Sequence, residues 1–274
     1  MARFKASDGL WLHYTDEGEG RPVLCLAGLT RTTADFDYVT PHLRNLRLIK
    51  MDYRGRGYSD WDQNWQNYAL PVECRDALEL LDHLQVEKTA IIGTSRGGLN
   101  AMGLAMGAKD RLTGVALNDI GPVIEAEGLK FISGYLGRNP SAKTHADAAH
   151  ILAQNSPGFI DVPQNRWLEE AYKHFRETDD GLEITYDPKL RNAVEALGAQ
   201  AAPDLWPYFD ALEGLPLACI RGENSNLLSA ETFLEMGRRR PDMISVTVPG
   251  RGHIPFLDEP ESVAALQTWI EALP

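Results

Sequence analysis

The stretch Thr89-Ala90-Ile91-Ile92-Gly93-Thr94-Ser95-Arg96-Gly97-Gly98 decides how the rest of the chain is read. A short, mostly apolar run with strand character stops at Gly93, and small residues at helical spacing follow from Gly97 to Met106. A serine hydroxyl is a poor nucleophile unless a base takes its proton and its oxygen stands clear of the backbone. A sharp strand-to-helix turn of the form G-x-S-x-G meets the second condition. Glycines two residues either side of Ser95 let strand and helix approach without Cβ clashes. Gly98 and Ala101 continue the small-residue packing. An ordinary glycine turn would account for the pentapeptide alone, but the strand before it and the helix after it favour a nucleophile at Ser95.

Outward from this turn the same alternation recurs. Residues 22–27 are continuously apolar and stop at Gly28, as a buried parallel strand would. Residues 46–51 repeat the pattern and run into Asp52-Tyr53-Arg54-Gly55-Arg56-Gly57. Residues 72–84 place apolar side chains on one helical face, and residues 112–117 read as the next strand. Strands over 217–220 and 244–248 and helices over 229–240 and 259–273 resume the alternation. Such a pattern implies βαβ units and an α/β fold, with a parallel sheet covered on both faces. Near the start, residues 10–14 and the turn cluster at 16–20 read as an edge strand ending in a hairpin. Between 123 and 207 the alternation disappears and gives way to helical patterns over 146–154 and 166–177. A connection of this length is expected to be a structured insertion. It reads as a helical cap (123–207) set into a core made of residues 1–122 and 208–274.

Composition narrows the function. The 274 residues carry 27 Lys and Arg against 39 Asp and Glu, a net charge of −12. An acidic chain is not drawn to nucleic acid or to an anionic membrane, so a small-molecule substrate is the expected partner. The first residues lack the apolar stretch of a signal peptide, and no run approaches the roughly 18 apolar residues of a membrane helix. Cys25, Cys74 and Cys219 are odd in number and form no C-x-x-C pair. Buried, reduced thiols are therefore expected, as in a cytoplasmic protein.

A base for Ser95 is expected at His253, in Pro249-Gly250-Arg251-Gly252-His253, just past the last apolar strand and so at the sheet's C-terminal edge. His13, His42, His83, His145, His150 and His174 fall in a strand or in helical patterns where structural or solvated roles suffice. No pair of them has metal-ligand spacing with a supporting acid, so neither metal nor cofactor is expected. An oxyanion hole needs two backbone N–H groups. Arg96, directly after the nucleophile, is the candidate for one, and Leu29, after Ala27-Gly28, for the other.

With these segments in place the chain resembles the α/β-hydrolase family over almost its whole length. The matching segments are the Ser95 turn, residues 26–30, 52–59 and 117–122, and Gly252-His253-Ile254-Pro255. The resemblance implies an eight-stranded, mostly parallel sheet with the cap inserted after the sixth strand. It also implies acyl chemistry on a small ester, lactone, thioester or cleavable diketone. The serine argues against the dehalogenases and epoxide hydrolases of the same fold, which use an aspartate nucleophile. Ala27 stands where relatives often have histidine, but the donor there is backbone. Arg54 and Arg56 are expected to brace loops. Trp167, Phe175, Trp206 and Phe209 are expected first as cap core and second as apolar walls for substrate.

The third triad member departs from the family pattern. Relatives usually place an aspartate after the seventh strand, and the matching position here is Asn226. An amide orients imidazole but cannot balance imidazolium, and Asp-to-Asn replacement in a serine triad costs about four orders of magnitude in turnover. Some relatives carry the acid after the sixth strand, where Asn118 and Asp119 stand, and Glu223 is also nearby. The alternatives are thus rescue by Asp119 or another carboxylate, a slow Ser-His-Asn triad, or a ligand receptor with little catalysis. A cofactor-free peroxidase or an acyltransferase on the same residues is a further reading.

Overall fold

A computed structural model of the chain describes residues 1–198 and 203–274. In chain order the elements before the long insertion are β1 (Ala2–Lys5), β2 (Trp11–Glu17), β3 (Arg21–Leu26), β4 (Leu46–Met51), α1 (Leu70–His83), β5 (Thr89–Thr94), α2 (Arg96–Ala108) and β6 (Leu112–Asn118). The insertion holds α3 (Ala126–Tyr135), α4 (His145–Asn155), α5 (Gln164–His174), the hairpin β7 (Phe175–Thr178) and β8 (Gly181–Ile184), α6 (Leu190–Gly198) and α7 (Trp206–Asp210). The chain closes with β9 (Leu217–Gly222), α8 (Ala230–Arg239), β10 (Ile244–Val248) and α9 (Pro260–Ala272).

Eight strands form one sheet in the order β1-β2-β4-β3-β5-β6-β9-β10. β2 runs antiparallel to both its neighbours and every other pairing is parallel. This is the mostly parallel α/β sheet that the alternation implied, with the eight strands that the resemblance implied. The continuous apolar runs have a direct cause. In β3, Leu24 and Leu26 face one core with Ala77 and Leu80 of α1 and Met102 of α2. Val23 and Cys25 face the other, with Leu266 and Trp269 of α9. Both faces of a strand buried between helices need apolar side chains at every position.

The sequence reading needs correction at three places. β2 is not an edge strand closing a hairpin with β3, because β4 lies between them and β1 holds the edge. The glycine-rich turn allows this. A Cβ at Gly20 (φ 120°) would run into the carbonyl of Asn45, directly before β4. The helical pattern over 166–177 ends at His174, where the chain turns extended into β7. α3 and the β7–β8 hairpin were not anticipated. Among the described residues, no helix is long and apolar enough to cross a membrane.

Three turns at the C-terminal edge of the sheet matter most. Ser95 follows β5, Asp119 follows β6 and His253 lies in the loop after β10. The insertion between β6 and β9 leaves from this same edge.

Candidate active site

Ser95 sits at the turn between β5 and α2 with φ 50° and ψ −113°. That conformation is strained for a residue with a Cβ and is held only where the surroundings dictate it. Several contacts dictate it here. The Ser95 N–H donates to the carbonyl of Asn118 at 2.9 Å. A Cβ at Gly93 would stand 2.6 Å from the carbonyl oxygen of Gly97, and one at Gly97 would strike the backbone of Leu26. Only glycines allow β3, β5 and α2 to meet this closely.

Ser95 Oγ donates to His253 Nε2 at 3.0 Å. The other ring nitrogen, Nδ1, donates to Asp119 Oδ2 at 2.7 Å. Asp119 is fully buried and is itself held: the Gly222 N–H donates to Oδ1 at 2.8 Å and the Ser225 hydroxyl to Oδ2 at 2.6 Å. Asn226 lines the neighbouring cavity, yet its side chain makes no hydrogen bond among the described residues. Glu223 is exposed, and its carboxylate accepts from the Gly250 N–H at 2.9 Å. Of the candidate acids, only Asp119 therefore meets His253. Where a Ser-His-Asn arrangement would put the Asn226 amide, the Asp119 carboxylate stands.

The amides of Leu29 and Arg96 donate to no acceptor among the described residues. Arg96 is the first residue of α2, where an N–H has no partner within the helix and the helix dipole adds positive potential. A buried chain of charges ties the two together. Arg56 Nε donates to the Leu29 carbonyl at 2.9 Å and its Nη2 lies 2.9 Å from Glu73 Oε1. Arg96 Nε donates to Glu73 Oε2 at 2.8 Å. Burial alone would raise the Glu73 pKa, but the two guanidinium groups hold it down at about 2. Arg54 is gripped by Asp76, Asp62 and Asp8. Both arginines thus brace the loops as expected. Glu73 and Ser225 escaped the sequence reading, since a glutamate on a helix and a serine in a turn carry no motif.

Beside His253 lies a cavity of about 980 Å³, lined by His253 and Thr94 among others. Trp167 and Phe175 line it, whereas Trp206 and Phe209 do not. The last two pack with the main core near α2 instead.

The alpha/beta hydrolase family model matches residues 23–266. The chain belongs to that family. It is 36% identical to the 3-hydroxybutyrate-oligomer hydrolase of Cupriavidus necator, over 91% of this chain and 88% of that protein. It is 27% identical to the 2-(acetamidomethylene)succinate hydrolase of Mesorhizobium japonicum, over 95% and 92% respectively. Among solved structures, an alpha/beta hydrolase from Novosphingobium aromaticivorans superposes with a TM-score of 0.93 at 38% identity, covering 99% of this chain and 98% of that one. This α/β hydrolase is an enzyme of the hydrolase type, as the relatives are.

Proposed function

We propose that the enzyme is a cytoplasmic serine ester hydrolase that works through an acyl-enzyme on Ser95. The observation that carries this reading is the unbroken line Ser95 Oγ, His253 Nε2, His253 Nδ1, Asp119, at 3.0 and 2.7 Å. In this reading Ser95 Oγ attacks the ester carbonyl carbon as its proton passes to His253 Nε2. Asp119 holds the ring tautomer and balances the imidazolium. The amides of Leu29 and Arg96 receive the charge that develops on the carbonyl oxygen. Collapse of the tetrahedral intermediate breaks the C–O bond, and His253 returns the proton to the departing alcohol. Water then attacks the acyl-enzyme, giving its proton to His253, and the acid leaves as Ser95 is restored.

In this proposal residues 123–207 act as a cap over a core of residues 1–122 and 208–274, and the cap's walls set the substrate. The first substrates to try are short oligomers of 3-hydroxybutyrate, the compounds in the name of the Cupriavidus relative. A cavity of about 980 Å³ has room for more than one acyl unit. The test is twofold: label folded protein with a fluorophosphonate and locate the adduct by mass spectrometry, and follow acid release from the dimer and trimer in a pH-stat. An adduct at Ser95 with acid release is expected. No adduct on folded protein and no acid from any ester would sink the reading.

A further inference from the structure

Arg31 stands two residues beyond Leu29, in the loop that leads away from β3. A Cβ built at Gly28 would lie 3.1 Å from Arg31 Cγ and 3.9 Å from Ser95 Cβ, so the arginine stem and Ser95 flank the same glycine. Arg31 lines the cavity, and its guanidinium is held through a single nitrogen among the described residues. Its Nη1 donates to Glu170 at 2.9 Å and to Asp35 at 3.2 Å, and it also meets Nε2 of His174. Its Nε and Nη2 find no acceptor among the described residues, while the side chain keeps 22% of its exposure.

The Nε–Nη2 edge is the one that pairs with both oxygens of a carboxylate at once. The same protein uses it that way elsewhere, and Arg240 on Asp242, at 2.9 and 2.7 Å, is one case. Arg47 grips Asp16 through Nε and Nη2 at 2.9 and 2.7 Å, and Arg54 grips Asp76 at 2.7 and 2.7 Å. Asp35 and Glu170 already hold the Arg31 guanidinium through Nη1, so a carboxylate would meet a group already oriented and would cost little further side-chain entropy. Nor does the cluster repel an anion. Burial pushes both the Asp35 carboxyl and the Lys173 ammonium toward their neutral forms, which leaves Arg31 offsetting Glu170.

We propose that Arg31 forms a carboxylate subsite that selects esters bearing a free carboxylate group beside the scissile bond. This rests on the serine-hydrolase reading of Ser95. The carboxylate can belong to the acyl half, as in a monoester of a dicarboxylic acid, or to the alcohol half, as in an acylated hydroxy acid. Two matched pairs separate these sources: the 4-nitrophenyl monoester of glutaric acid against its primary amide, and 3-acetoxybutyrate against its primary amide. The readout is the acid-to-amide ratio of kcat/KM, which does not depend on how much of a variant is folded. Wild type should favour the acid by roughly tenfold to a hundredfold in one pair, the worth of one charged bidentate contact. The ratio should fall to about one in Arg31→Gln and lie between in Arg31→Lys. A wild-type ratio at or below one in both pairs, or a preference that survives Arg31→Gln, overturns the subsite while leaving the hydrolase reading intact. No turnover of any of the four compounds would overturn the subsite, and the hydrolase reading would fall with it only if the Ser95 adduct and acid release from every other ester were missing too.

Discussion

At the scale of single residues, the carboxylate paired with His253 is the one whose loss should most affect rate. Asp119→Asn keeps the shape of the site but removes the charge that would balance His253 once protonated, so kcat should fall by about 10⁴. Asn226→Asp should stay within about tenfold of wild type, because no hydrogen bond links that side chain to His253. Steady-state kcat on a saturating ester measures both, and the reverse order of effects would reinstate Asn226. The sequence brought Ser95, His253, Arg96 and Leu29 forward because each sits at a strand end recognisable by its apolar run and glycines. It could not choose between Asp119 and Asn226. Both follow neighbouring strands, β6 and β9, at the same edge. What separates them is backbone detail: Asp119 takes φ 53° and its N–H donates to the Ile220 carbonyl at 2.7 Å, a twist fixed by tertiary contact rather than by residue type. Arg31 was unmarked for a similar reason, since the side chains holding it come from the loop after β3 and from α5, far apart in sequence.

At the scale of elements, the loop after β3, α1 and α2 are locked by Arg56, Glu73 and Arg96. Glu73 is fully buried, and its pKa of about 2 lies below the ordinary 4.5. A carboxylate with a depressed folded pKa contributes stability above its unfolded value and loses it as pH falls toward the folded one. Urea unfolding of the wild type should therefore lose a few kcal/mol between about pH 4.5 and about pH 2, in part through this group. Glu73→Gln should cost about 3–5 kcal/mol at neutral pH by leaving two buried guanidinium groups short of a counter-charge, and its stability should vary less over the same acid range. Equal slopes in the two proteins would show that Glu73 is not held ionised by its partners. The turn at Ser95, between β5 and α2, is a second locked junction. Gly97→Ala should destabilise by at least about 1–3 kcal/mol in the same assay, because the new methyl meets the backbone of Leu26 rather than a side chain able to move aside. Tolerance of alanine there would mean that β3 and α2 lie farther apart than described.

At the scale of the whole molecule, the parallel core was legible because every strand buried on two faces must be apolar throughout, and that continuous pattern is visible in the residues. The insertion was legible as an interruption but not in its parts: helices such as α3 bury little, so no strong apolar stripe announces them. β4 coming between β2 and β3 was hidden too, since strand order depends on contacts between segments far apart in sequence. The same layering governs the three cysteines. Cys25 in β3 and Cys219 in β9 are buried, one on each face of the sheet, and Cys74 lies part-buried between α1 and α2. Burial pushes the Cys25 and Cys74 thiols up to about 12, and Cys219 moves in the same direction. The thiolate is the reactive form, so at neutral pH the folded protein should react with iodoacetamide very slowly at all three sites and keep its hydrolase activity throughout. Unfolding in guanidinium chloride restores an ordinary thiol pKa and removes the packing, and three adducts should then appear by intact-mass spectrometry within minutes. Rapid labelling of Cys25 or Cys219 in active protein would mean that the sheet opens locally far more often than a strand sealed between two helical layers permits.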